Sequence, residues 1–275
     1  MWRATPHTTG PWDTRAQHGG PPCALLGRAM QHCQPREEML ITRFTCEILR
    51  AIPVGDLFVE ARVARAGRSV ELLEASASAD GREVARATAW RVRRAASPPV
   101  PARLPAPPPL PDGPDAPPAP DGLPAPDGPP APDGTDGLPA AGSPTGWVDG
   151  YISAIEWRGV RGGLGHSGPG TVWARMRYPL LPDEEPSPLE RVLAIADSGN
   201  GISSELDISR WHFINPELTV HLYREAAGEW ICLDAQTAIS TGGAGLATSV
   251  LSDLQGPVGV GAQSLLVAPR TPGAA

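Results

Sequence analysis

"SPLERVLAIADSGNG", residues 187–201, decides the fold. Ser187 stands where a helix N-cap belongs, Pro188 at the first helical position and Glu190 in the first turn. The apolar run Val192-Leu193-Ala194-Ile195-Ala196 then reaches Asp197 and a helix-breaking Ser198-Gly199-Asn200-Gly201. The pattern predicts a buried helix over 187–197 with a carboxylate at its end. Strand-like runs follow at 203–214, 217–225, 229–240, 244–253 and 258–268.

The first part of the chain reads the same way. "GGPPCALLGRAMQHC" (19–33) puts Ala24, Leu25, Ala29 and Met30 on one helical face, opened by Gly-Gly-Pro-Pro. Strands are expected at 40–50, 56–66, 69–79 and 83–93, with turns at Ala66-Gly67 and at Asp80-Gly81, the latter a strong hairpin signal. One helix followed by a meander of long antiparallel strands therefore occurs twice, an internal duplication. A helix wrapped by one long curved antiparallel sheet is the hotdog arrangement. The expected class is α+β, a double hotdog made by tandem duplication, although other α+β meanders fit the same order.

Between the halves lies a break in composition. Of 34 prolines, 19 fall in residues 96–145, and Pro-Ala-Pro-Asp-Gly recurs at 118–122, 124–128 and 130–134. Such a stretch has too few apolar side chains to offset its ordering entropy, so an extended or disordered tether is expected. The expected division is 1–95, a linker at 96–145, and 146–275.

The chain has 275 residues and a net charge of −7, and all 23 basic residues are Arg. No basic patch points to nucleic acid. No signal segment and no apolar run of about 18 residues occurs, so a soluble, cytoplasmic protein is expected. Cys23, Cys33, Cys46 and Cys232 have no metal-ligand spacing and read as buried or partly buried reduced thiols. GxSxG, HExxH and a phosphate-binding Gly loop are absent from the sequence.

Four segments carry a resemblance: "HTTGPWDTRAQHGGPPCALLGRAM" (7–30), "AIADSGNGISSELDISRWHFINPELTVHLYRE" (194–225), "GEWICLDAQTAI" (228–239) and "GPVGVGAQSLLV" (256–267). Together they resemble type II acyl-CoA thioesterases of the double-hotdog kind, and more closely the thioesterase-like proteins common in actinobacteria. The resemblance implies hydrolysis of an acyl-CoA or acyl-carrier thioester, a place in fatty acid metabolism, no metal or redox cofactor, and a homo-oligomer. It also implies a site of one Asp, one Ser or Thr and one Gln. Asp197 matches the Asp and Gln263 the Gln. The family's hydroxyl sits two residues before a strand Asp; taking Asp207 as that Asp puts Glu205 there, with Ser203 the nearest hydroxyl on the same strand face.

In that reading Asp197 is the base that activates water, its pKa raised by burial and the negative helix end. Gln263 orients the water. Backbone N–H groups of Gly19 and Gly20, after His18, polarise the thioester carbonyl. Arg15 or Arg210 at the rim would meet phosphates. Plainer readings stand beside these. Asp197 fits a helix-terminal turn, Gln263 a bond to a neighbouring strand, His18 a turn-orienting residue, and Glu205 and Asp207 a solvated strand face. His212 and His221 fit packing or surface roles. Trp147, Trp157, Trp173, Trp211 and Trp230 fit core anchors.

Overall fold

The computed structural model describes residues 1–98, 100, 103–111 and 150–270. The first half runs β1 (Trp2–Arg3), α1 (Gly20–His32), β2 (Met39–Ile48), β3 (Asp56–Arg65), β4 (Val70–Ala79) and β5 (Arg82–Arg93). The second runs α2 (Tyr151–Ala154), β6 (Ile155–Arg161), β7 (Gly170–Met176), α3 (Pro188–Ala196), α4 (Gly199–Ile202), β8 (Trp211–Ile214) and β9 (Glu217–Leu222), closing with β10 (Ile231–Ile239), β11 (Ala244–Asp253) and β12 (Gly256–Pro269).

Local chemistry explains both long helices. Ser187 Oγ accepts from the Glu190 N–H at 3.2 Å, and the Glu190 carboxylate accepts from the Ser187 N–H at 3.3 Å. This capping box contributes about 1 kcal/mol. In α1, Gly19 is the N-cap and Pro21-Pro22 fill the first turn, where no helical N–H is required. Both helices bury one face: Cys23, Ala24, Leu26 and Met30 from α1, Val192, Leu193 and Ile195 from α3. At the predicted hairpin, Asp80 and Gly81 take φ of 48° and 72°, the left-handed pair that joins β4 to β5 in two residues.

All twelve strands lie in one antiparallel sheet ordered β1-β3-β4-β5-β2-β9-β12-β11-β10-β7-β6, with β8 pairing β12. The order is palindromic about the β2–β9 seam, where Thr45 pairs with Thr219. The duplication is thus visible as two four-stranded units, each a three-stranded meander (β3-β4-β5, β10-β11-β12) with its first strand, β2 or β9, beside its last, fused along β2–β9, with α1 and α3 side by side on the inner face. That is the double hotdog.

Three expectations change. The strand over 203–214 shrinks to β8, because the chain continues helically through Gly199–Ile202 and then turns. Asp207 causes the turn: its Oδ1 accepts from the Ser209 N–H at 2.8 Å, and its carbonyl accepts from the Arg210 and Trp211 N–H groups. Second, β6 and β7 extend the second meander; "IEWRGVR" and "GTVWARM" lack clean alternation, and a bulge at Gly159/Arg161 interrupts their pairing. Third, part of the expected tether is docked. Trp173 Nε1 donates to Pro108 O (3.2 Å), Arg158 Nη1 donates to Pro111 O (2.8 Å), and Leu110 packs on buried Trp173, Trp230 and Cys232. The Pro-Ala-Pro-Asp-Gly repeats and Trp147 lie outside the described residues.

Candidate active site

The site forms where the N-terminus of α1 meets the C-terminus of α3. A Cβ on Gly20 would lie 2.2 Å from Ala194 O, and one on Gly19 would lie 2.7 Å from Asp197 Oδ2. The Gly-Gly pair is what lets the two helix ends touch. Asp197, 2 % exposed, is the residue at the contact.

Its carboxylate is held from several elements. Oδ1 accepts from Asn215 Nδ2 at 2.8 Å and from Gln263 Nε2 at 3.2 Å. Gln263 Nε2 also donates to Asp197 O at 3.0 Å, and Gln263 Oε1 accepts from the Asn200 N–H at 3.0 Å, which fixes the amide's orientation. Oδ2 lies 3.1 Å from His18 Nδ1. The Gly20 N–H donates to His18 Nδ1 at 3.1 Å, and the Gly20 and Gly19 N–H groups lie against the carboxylate. His18 stacks on Tyr151 at 3.8 Å and 7°, and Tyr151 donates to Ala194 O at 2.6 Å, so the ring plane is set by the end of α3.

Burial dominates the electrostatics. It pushes Asp197 from an ordinary 3.8 to about 7, against the opposing pull of Asn215, Gln263, Gly20 and Gly19. Burial pushes His18 the other way, to about 3, so its imidazole is neutral near pH 7. The Gly20 N–H donates to His18 Nδ1 at 3.1 Å, so Nδ1 is the unprotonated nitrogen, and its 3.1 Å contact with Asp197 is not an ion pair; only the protonated carboxyl of Asp197 has a proton to donate across it. Such a carboxylate exchanges a proton near neutral pH, as a general base requires. Cys23, in the first turn of α1, is no rival nucleophile: its Cys46 partner and burial hold it well above the usual range, as a thiol.

Of the residues expected from sequence, Asp197, Gln263, His18, Gly19 and Gly20 come together. Glu205 and Ser203 do not join them. Glu205 is exposed on the loop that replaces the expected strand. Ser203 is buried, but its hydroxyl donates to Gly199 O (2.8 Å) and meets Thr237 Oγ1 (2.7 Å). The Gly20 N–H is taken by His18 Nδ1, and with the Gly19 N–H it lies against Asp197. The residue sequence reasoning missed is Asn215. It lies two residues before Glu217, the first residue of β9. Asp207 is a turn residue, so Glu205, two residues before it, does not lie on a strand. Across the duplication, Asn215 and Gln263 correspond to Ile41 and Ala89, so the polar site occurs in one half.

A cavity of about 220 Å³ opens at the other end of the helix pair, beside Gln31, Ile41, Leu189 and Leu222. Its arginines are already paired, Arg36 and Arg91 with Glu71 and Arg94 with Glu225. Among the described residues no group of three His, Cys, Asp or Glu side chains could hold a metal ion. No helix among them is long and apolar enough to cross a membrane.

Solved structures share the fold. A hotdog protein of unknown function from Alicyclobacillus acidocaldarius is 16% identical, with a TM-score of 0.66 over 95% of this chain and 90% of that one. A candidate thioesterase from Novosphingobium aromaticivorans is 21% identical, with 0.62 over 91% and 87%. The acyl-CoA thioesterase II TesB2 from Mycobacterium marinum is 16% identical, with 0.61 over 94% and 92%. No curated protein matches the chain. Family models do: the acyl-CoA thioesterase N-terminal domain matches residues 8–92 and the C-terminal domain residues 115–267. With both halves matched in order on a double-hotdog sheet, the chain belongs to the acyl-CoA thioesterase family.

Proposed function

We propose that the protein hydrolyses an acyl-CoA or related acyl thioester with a water aimed by Asp197 and Gln263. The observation that carries this is the buried Asp197 carboxylate, near 7, hydrogen-bonded to an amide whose own orientation is fixed. In the reaction Asp197 takes a proton from water as the water oxygen attacks the thioester carbonyl carbon. The tetrahedral intermediate then breaks its C–S bond, and the proton on Asp197 passes to the leaving sulfur. The products are a carboxylic acid and a free thiol. Asn215 keeps Asp197 pointed into the site by donation.

A second reading, binding of acyl-CoA without cleavage, is favoured by one observation. The Asp197 oxygens are already filled by Asn215, Gln263, His18, Gly19 and Gly20, so water reaches them only if a partner withdraws. Thiol release from acyl-CoAs of about two to sixteen carbons, with wild type beside Asp197→Asn, separates the readings. Release by wild type alone supports hydrolysis. Binding of the same acyl-CoAs with no release by wild type supports the second reading. Self-association, implied by the family resemblance, is read by light scattering.

A further inference from the structure

Beside the site lies a cluster of Trp12, His212 and Arg270 that the hydrolytic reading leaves unused. Trp12, in the loop leading to His18, packs edge-on against Phe213 (5.0 Å) and tilted against His212 (5.6 Å). The Arg270 guanidinium lies over the Trp12 ring at 5.3 Å. Arg270 Nε and Nη2 and His212 Nδ1 are buried atoms without a hydrogen-bond partner, and Arg270 has no acidic partner among the described residues. Burial and the facing Arg270 charge both hold His212 below its ordinary range, so the two side chains confront each other. The neighbouring acids are engaged elsewhere: Asp13 takes Arg15 in a paired contact, and Asp207 takes Ser209. Buried donors left empty are costly, on the order of 1–3 kcal/mol each, and an anion is the kind of ligand an Arg guanidinium binds most strongly.

We propose that Arg270 and His212, buttressed by Trp12, form the subsite for the phosphate-bearing end of the substrate, a nucleotide-linked thioester. This rests on the thioesterase reading of the neighbouring site. The cluster is tied to that site on three strands of argument. Trp12 is six residues before His18, and Phe213 is two before Asn215. Phe213 O accepts from Asn200 Nδ2 at 3.0 Å, and the Asn200 N–H holds Gln263. Finally, β12 carries the chain from Gln263 to Arg270, roughly 23 Å at about 3.3 Å per residue. An extended pantetheine arm spans roughly 16 Å from sulfur to the first phosphorus at backbone-like bond lengths, and an Arg side chain adds roughly 6 Å. The length of chain between Gln263 and Arg270 is of the same order as an extended pantetheine arm and an Arg side chain together. Arg15, offered by sequence as a phosphate contact, is exposed and pairs with Asp13 on the surface.

The test is calorimetric titration of the full chain with coenzyme A and with pantetheine, which lacks the phosphates. Arg270→Ala is expected to weaken coenzyme A at least tenfold and leave pantetheine unchanged, and Arg270→Lys to weaken it less. His212→Asn gives a second variant should Arg270→Ala not fold. Unchanged coenzyme A binding in these variants, equal weakening of pantetheine, or no coenzyme A binding by wild type overturns the proposal. Thiol release is read separately. Coenzyme A binding that depends on Arg270, with no turnover, would leave the subsite standing while the hydrolytic reading fails.

Discussion

Removing the Asp197 charge should make the protein more stable as pH rises, relative to wild type. The folded carboxyl titrates at about 7 and an unfolded one at about 3.8. Folding therefore binds a proton between those values. The stability this contributes is fully present below about pH 3.8, declines as pH rises, and is gone above about pH 7, a swing on the order of 4 kcal/mol. Between about pH 5 and pH 8 the wild type loses about 2–3 kcal/mol from this group. Asp197→Asn keeps an oxygen for Asn215 and places an amide donor toward His18 Nδ1, but has nothing to titrate. Other groups titrate alike in both proteins and cancel. Urea unfolding at the two pH values should show the variant gaining about 2–3 kcal/mol on wild type, roughly 5–10 °C in Tm. Parallel pH dependences in the two proteins would refute a buried, high-pKa Asp197.

Other outcomes follow from the same geometry. Gly20→Ala drives a Cβ to 2.2 Å from Ala194 O and should cost about 3 kcal/mol in chemical denaturation, with loss of the site. Glu71→Ala should cost about 3–5 kcal/mol, because it strands the buried Arg91 that ties Cys33 O and Gln34 O at the end of α1 to the sheet. Trp173→Phe removes the donor to Pro108 O and should cost about 1 kcal/mol, with faster proteolysis near residues 103–111. Asn215→Ala removes a donor that favours ionised Asp197, so the rising limb of any pH–rate profile should move about one to two pH units higher.

Much of this was legible because local chemistry agreed with the fold. Ser187-Pro188 with Glu190 announces α3, Gly19-Gly20-Pro21-Pro22 announces α1, and Asp80-Gly81 announces its hairpin. Asp197 and Gln263 were found by their family context, and the structure brings them together. What failed was register across the 199–216 segment. Asp207 and Glu217 are both acids near apolar runs, and only the Asp207–Ser209 side-chain turn shows that the first cannot lie on a strand. The Asp-Ile-Ser-Arg turn composition was the available signal, and Asn215 was lost with it. Tyr151 and Asn200 reach the site through tertiary packing that no local pattern encodes. The docking of Pro108–Pro111 depends on Trp173 and Arg158 in strands without clean alternation, so composition alone read it as tether.

The central claim is that Asp197, brought to about 7 by burial, is the base. The most direct measurement is kcat/KM for acyl-CoA hydrolysis against pH, in wild type and Asp197→Asn. The account predicts a wild-type rate that climbs about tenfold per pH unit below about pH 7 and levels above it, with Asp197→Asn at least 100-fold slower at the plateau. A wild-type profile that is flat through pH 7, or an Asp197→Asn variant that keeps its turnover, would contradict it.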